Sequence, residues 1–157
     1  MTGAVQSAPA CIFCDAAGPT PDPARSELVV VRGRLAYVLL NLYPYNNGHL
    51  MVAPMRHVAT LADATREELT ALMRLTRLSE MALTEAYRPQ GINVGINLGR
   101  PAGAGVVDHL HVHLVPRWVG DTSFISVVAE TRVLPETLAD TARRLRPIFE
   151  RLLTADA

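Results

Sequence analysis

His109, His111 and His113 alternate with apolar residues in His109-Leu110-His111-Val112-His113. In an extended chain, side chains at i, i+2 and i+4 share a face about 6 to 7 Å apart, so the three imidazoles line one surface while Leu110, Val112 and Leu114 turn to the core. Imidazole near neutral pH is a nucleophile, a general acid or base, and a zinc ligand. The row alone leaves metal cluster and nucleophile open. The chain has only five histidines, which makes three on one face hard to attribute to chance. Just before them runs Asn97-Leu98-Gly99-Arg100-Pro101-Ala102-Gly103-Ala104-Gly105, a glycine-rich loop whose backbone N–H groups suit phosphate oxygens, with Arg100 as a charged donor. The only cysteines, Cys11 and Cys14, have the spacing of a metal pair or a redox pair.

The elements that must position these groups follow from pattern. A length of 157 residues suits one domain over residues 11–157, with residues 1–10 as a flexible tail. Residues 28–31 and 35–40, joined at Arg32-Gly33, read as a hairpin, and 49–53 as a third strand. Thr65 and Glu68 form a capping box for a long helix ending before Pro89, with Leu69, Leu72, Met73, Thr76, Leu83 and Tyr87 on its apolar face and Leu75 and Leu78 widening it. Residues 92–98 and 106–115 read as strands that pair antiparallel, the second stopped by Pro116. A C-terminal helix is expected from Pro135, kinked or broken at Pro147. The residues 16–23 read as irregular. The sum is an α+β domain: an antiparallel sheet of about five strands, one long helix and a C-terminal helix.

Acidic and basic residues balance at 15 each, so no net field recruits a nucleic-acid polymer or an anionic membrane. Every basic residue is Arg, which excludes lysine Schiff-base chemistry and leaves bidentate phosphate binding available. No apolar run approaches a membrane span and no secretory leader is recognisable, so a cytoplasmic location is expected.

The stretch His109-Leu110-His111-Val112-His113-Leu114-Val115 matches the signature of the histidine-triad (HIT) family, which this chain resembles from Cys11 to about Asp121. Asn46-Asn47-Gly48-His49, Pro54-Met55-Arg56-His57, Asn97-Leu98-Gly99 and Pro116-Arg117-Trp118 extend the resemblance, most closely to the branch acting on dinucleoside polyphosphates. It implies an enzyme in which His111 attacks the α-phosphorus of a nucleotide, forming a nucleotidyl-histidine that water or phosphate then releases. The alternatives are a nucleotidyltransferase and a nucleotide-binding module without turnover.

The same resemblance implies phosphate contacts from His113, His49, Asn97 and the glycine-loop backbone at Gly103 and Gly105, with the His109 carbonyl orienting His111. Asn41 falls where the family binds ribose, although a turn asparagine is an equal reading. Phe13, Leu40 and Leu42 are expected around the base, and Trp118 over the substrate's far side or at a dimer interface. Gly105 and Val106 stand where many members carry Gln or Ser, so those side-chain contacts are lost. A structural zinc is implied on Cys11, Cys14, His57 and His109, with no organic cofactor. No βαβ context supports a thioredoxin-like role for the cysteines. Homodimers are common in the family.

Overall fold

The computed structural model describes residues 11–121 and 136–157. Residues 1–10 and Pro135 lie outside the described residues, and so do the expectations placed on them. Two short helices, α1 (Ile12–Ala17) and α2 (Pro23–Ser26), precede a hairpin of β1 (Val29–Arg32) and β2 (Ala36–Leu40). Then come β3 (Leu50–Pro54), the long α3 (Arg66–Tyr87), β4 (Gly91–Ile96), a 3-10 turn at Arg100–Ala102, β5 (Val112–Arg117) and the C-terminal α4 (Leu138–Ala155). The five strands form one antiparallel sheet in the order β1-β2-β3-β5-β4.

Strand alternation sorts the two faces. Ala36, Val38, Leu40, Leu50, Val52, Val112 and Leu114 point to α3 and α4 and form the main core with Leu72, Leu75, Leu78, Leu145 and Phe149. Tyr37, Leu39, Met51 and Ala53 point the other way, where α1 covers them with Phe13 and Ala16. The expected capping box is present: the Thr65 hydroxyl accepts from the Glu68 N–H at 3.2 Å and Glu68 Oε2 accepts from the Thr65 N–H at 2.8 Å. The buried face of α3 holds Leu72, Leu75, Thr76, Leu78 and Leu83 of the expected face, but Met73 lies outside it at 61% exposure.

The expectation that residues 106–115 form a strand stopped by Pro116 is corrected at both ends. Leu110 donates its N–H to the Val58 carbonyl at 2.7 Å, away from the ladder, so β5 begins only at Val112. Alternation still holds through Leu110, which stays in the main core. Pro116 lies within β5: its carbonyl accepts from Asn46 Nδ2 at 3.0 Å, on the side where β3 no longer pairs with β5, so the missing N–H breaks no ladder bond. Pro147 does not break α4 either. It is exposed, while Ala142, Leu145, Phe149 and Leu152 bury the opposite stripe, and that packing outweighs the lost helical bond. Thr137 caps this helix, accepting from the Asp140 N–H at 3.1 Å. The stretch 16–23 is less irregular than expected, because Asp22 caps Pro23, a favoured first-turn residue.

Candidate active site

His109, His111 and His113 share the face opposite α3, with His113 in β5 and the other two in the segment leading into it. His111 and His113 meet edge to face at 4.8 Å between centroids. The ring of Phe13 packs against His109 at 5.1 Å and His111 at 4.7 Å. The histidine row is therefore seated on α1, which has Cys11 at its N-cap and Cys14 in its first turn.

Backbone partners fix each tautomer, because a carbonyl only accepts and an amide N–H only donates. His111 Nδ1 lies 2.8 Å from the His109 carbonyl, so Nδ1 carries the proton and Nε2 is left with its lone pair. His109 Nε2 donates to the Pro54 carbonyl at 2.9 Å, which leaves Nδ1 as its free lone pair. The Tyr45 N–H donates to His49 Nδ1 at 3.1 Å, so His49 Nε2–H donates to His113 Nδ1 at 2.9 Å. Neutral His113 in turn presents Nε2–H as a donor. Burial lowers the basicity of His111 against the opposing effect of the His109 carbonyl. It lowers His113 to about 4, helped by His111, and His49 to about 3, helped by His113 and His111. At neutral pH His111, His113 and His49 are uncharged.

Other expected residues fall unevenly. His49 is 1% exposed with both nitrogens bonded, so it reaches a ligand only through His113 and not as a direct phosphate donor. Leu40 points into the α3 core and cannot touch a base on the histidine face. Leu42 is exposed, while Phe13 is buried beneath the histidines. Asn41 does form a turn, its Oδ1 accepting from the Tyr43 N–H at 2.9 Å. Gly99 and Gly103 have φ of 83° and 91°, a region that favours glycine, and close the loop around the 3-10 turn. The Gly103 N–H donates to the Arg100 carbonyl at 3.0 Å and is not free for phosphate. Its carbonyl accepts a long 3.4 Å bond from Asn97 Nδ2. Among the described residues, the amides from Gly105 to Asp108 have no hydrogen-bond partner. Trp118 is half-buried, its N–H on Asp121.

Sequence reasoning gave Tyr45 no role, although its N–H sets the His49 tautomer and its ring packs 4.8 Å from that of His49. Arg117 was noted only within a motif. Its Nε and Nη2 donate to Asp121 at 2.6 and 2.8 Å and its Nη1 to Asn93 Oδ1 at 2.9 Å. That pairing holds the Asp121 carboxyl well below the usual carboxylate range.

Cys11, Cys14, His57 and His109 converge so that one ligand atom from each lies within 4.8 Å of every other, and together they could hold a metal ion. The sulfur-to-nitrogen separations are 3.3 Å for Cys11–His109, 3.2 Å for Cys14–His57 and 3.6 Å for Cys14–His109. Tetrahedral coordination by thiolate and imidazole places such atoms about 3.5 Å apart. The free Nδ1 of His109 faces the sulfurs, and its other nitrogen is anchored by Pro54, as metal-bound imidazoles usually are. Burial and the neighbouring Cys11 push the Cys14 thiol up to about 11, so protons must leave when a cation binds.

Known proteins resemble this arrangement. The HIT domain model matches residues 24–119. Over 124 residues the chain is 51% identical to a Mycobacterium tuberculosis protein named AP-4-A phosphorylase, a match covering 79% of this chain and 64% of that protein. The chain thus spans just under two thirds of that relative's length. It is 32% identical over 133 residues to a bis(5'-adenosyl)-triphosphatase of Dictyostelium discoideum, covering 80% and 88% of the two chains. A zinc-bound histidine triad family protein from Mycobacterium smegmatis shares the fold with a TM-score of 0.73 at 26% identity, over 93% of this chain and 97% of that one. With a family model spanning most of the sequence and all five histidines inside its bounds, the chain belongs to the HIT domain family.

Proposed function

We propose that this protein cleaves dinucleoside polyphosphates of the diadenosine tetraphosphate kind through a nucleotidyl-histidine at His111. The observation that carries the reading is the 2.8 Å bond from His111 Nδ1–H to the His109 carbonyl, which leaves the Nε2 lone pair unused and so supports Nε2 as the nucleophile. In the first step Nε2 bonds to the α-phosphorus and the bond from phosphorus to the polyphosphate oxygen breaks. The leaving group departs as a phosphate anion and needs no proton at neutral pH. In the second step inorganic phosphate, or water that gives up a proton to solvent, attacks the same phosphorus, and the P–N electron pair returns to Nε2.

Charge on the phosphoryl oxygens is met by His113 Nε2–H and the amides from Gly105 to Asp108, with Asn97 bracing the loop. His49 keeps His113 in its donor tautomer. Asn41, whose Nδ2 also lies 3.5 Å from both ring nitrogens of His49, donates from that amide to the ribose, and Trp118 covers the far side of the substrate. The names of the Mycobacterium tuberculosis and Dictyostelium relatives support this substrate class. A structural zinc on Cys11, Cys14, His57 and His109 suits a ligand set of two thiolates and two imidazoles, and a zinc-bound relative supports the choice of ion. The reading has the protein act as a cytoplasmic homodimer, for which sedimentation at assay concentration is the check. None of the described helices is long and apolar enough to cross a membrane.

The test is covalent trapping with diadenosine tetraphosphate labelled at the α-phosphate. Label on the wild-type protein that survives alkali, is lost in mild acid, and is absent from His111→Ala is expected. Equal turnover by wild type and His111→Ala would sink the mechanism. Products assign the acceptor: ADP and ATP in the presence of phosphate mean phosphorolysis, and AMP with ATP means hydrolysis.

A further inference from the structure

We infer that the half of the sheet face beyond His113, over β5 and β4, is a subsite for the second nucleoside of the substrate; the inference rests on the reaction proposed above. The histidines divide this face in two. Over β1, β2 and β3 the apolar residues lie under Phe13 and Ala16 of α1. Over β5 and β4 no described helix or loop does the same, and a cleft of about 390 Å³ lies there, lined by Tyr45, Asn93, Gly95, Asn97, His113 and Arg117 among others. That volume is within the range of small-molecule sites.

Position points to the leaving group. The His111 ring rests on Phe13, at the edge of the covered half, and in-line displacement puts the departing oxygen on the side of phosphorus opposite the nucleophile. The chain beyond that oxygen is therefore directed past His113 into the open half. His113 belongs to both places, as phosphate donor and as a wall of the cleft.

The chemistry of the lining selects among the parts of a leaving nucleotide. Arg117 has its charge met by Asp121 through two short bonds, with a third donor on Asn93. The cleft consequently offers no uncompensated cation to a phosphate. It offers amides at Asn93 and Asn97 and the half-exposed ring of Tyr45, inclined by only 27° to that of His113 at 6.4 Å. Flat aromatic surface with amide donors and no net charge suits a nucleobase and its ribose better than inorganic phosphate.

Gly95 is the residue that keeps the floor open. It faces His113 across the β4–β5 ladder, and a Cβ built on it meets no heavy atom within 4 Å. A valine there suits strand backbone and projects into the cleft.

Calorimetry in a His111→Ala background compares diadenosine tetraphosphate with adenosine 5′-tetraphosphate, which has the same phosphate chain and no second nucleoside. The second nucleoside is expected to tighten binding about tenfold or more, as one stacked base does. Adding Gly95→Val is expected to erase the difference between the two ligands, and Gly95→Ala, which intrudes less, to reduce it in part. Equal affinities in the parent protein, a difference that survives both substitutions, or equal loss of both ligands overturns the subsite. A Gly95-dependent difference in a protein whose wild type traps no label on His111 keeps the subsite and overturns the reaction. Failure of both ligands to bind the parent overturns both.

Discussion

At the scale of single residues, the histidines differ in what their second nitrogen touches. His111 is oriented by a carbonyl, His109 by another carbonyl, and His113 by a histidine that is itself oriented by an amide. The last chain is serial, because His49 has no route to a ligand except through His113. Replacing His113 by Ala is expected to lower kcat for nucleotidyl transfer about a hundredfold, and His49→Phe by a comparable factor. The double variant is expected to cost no more than the worse single, as for two members of one relay. Rapid-quench measurement of the first turnover checks this, and losses that multiply would mean His49 acts on its own. The histidine row was legible from spacing, whereas the convergence of Cys11 and Cys14 with His57 and His109 was legible only through the family resemblance. The site's backbone partners were not legible from spacing, because the carbonyls of Pro54 and His109 and the N–H of Tyr45 have no signature in side-chain identity.

Elements decide where those residues stand. Strand periodicity located β2 and β3 to within a residue or two, since each buries both faces and ends at a turn or a proline. It overextended β5, because alternation reports which way side chains point and not which N–H finds a ladder partner. Helix α1 was missed altogether. Only six residues long, it follows no clear periodicity and is held by contacts from distant sequence, including the Tyr37 hydroxyl donating to the Phe13 carbonyl at 2.8 Å. The entry to β3 is the most exacting joint. Gly48 has φ of 76°, and a Cβ there meets Tyr87 Cε2 at 2.9 Å and Leu83 Cδ2 at 3.0 Å. Gly48→Ala is expected to destabilise the fold by about 1 to 2 kcal/mol, through backbone strain and displacement of α3 side chains. It also moves His49, the next residue. Urea unfolding reads the first effect and single-turnover kinetics the second; unchanged stability would mean that this junction yields without strain.

Across the whole molecule, the four candidate metal ligands tie together segments that are far apart in the chain. Cys11 meets His109 across 98 positions and Cys14 meets His57 across 43, joining α1, the loop after β3 and the approach to β5. A cross-link over such spans restricts the unfolded chain more than the native one, and an ion that binds only the folded set adds stability by mass action. It also holds His109, whose carbonyl is the acceptor for His111. Two losses are therefore expected together when metal is removed. Purified protein should contain about one zinc per chain. Chelation, or Cys14→Ser, should lower the melting temperature by several degrees, a shift of the size expected from about 2 kcal/mol or more in a chain of this length. At a temperature where circular dichroism shows the chelated protein still folded, transfer to His111 should be slower than in the zinc-loaded protein and recover on adding zinc. A metal-free protein that melts unchanged would remove the cross-link. One that melts lower yet labels His111 at the full rate below its transition would keep the cross-link and separate it from the orientation of the nucleophile.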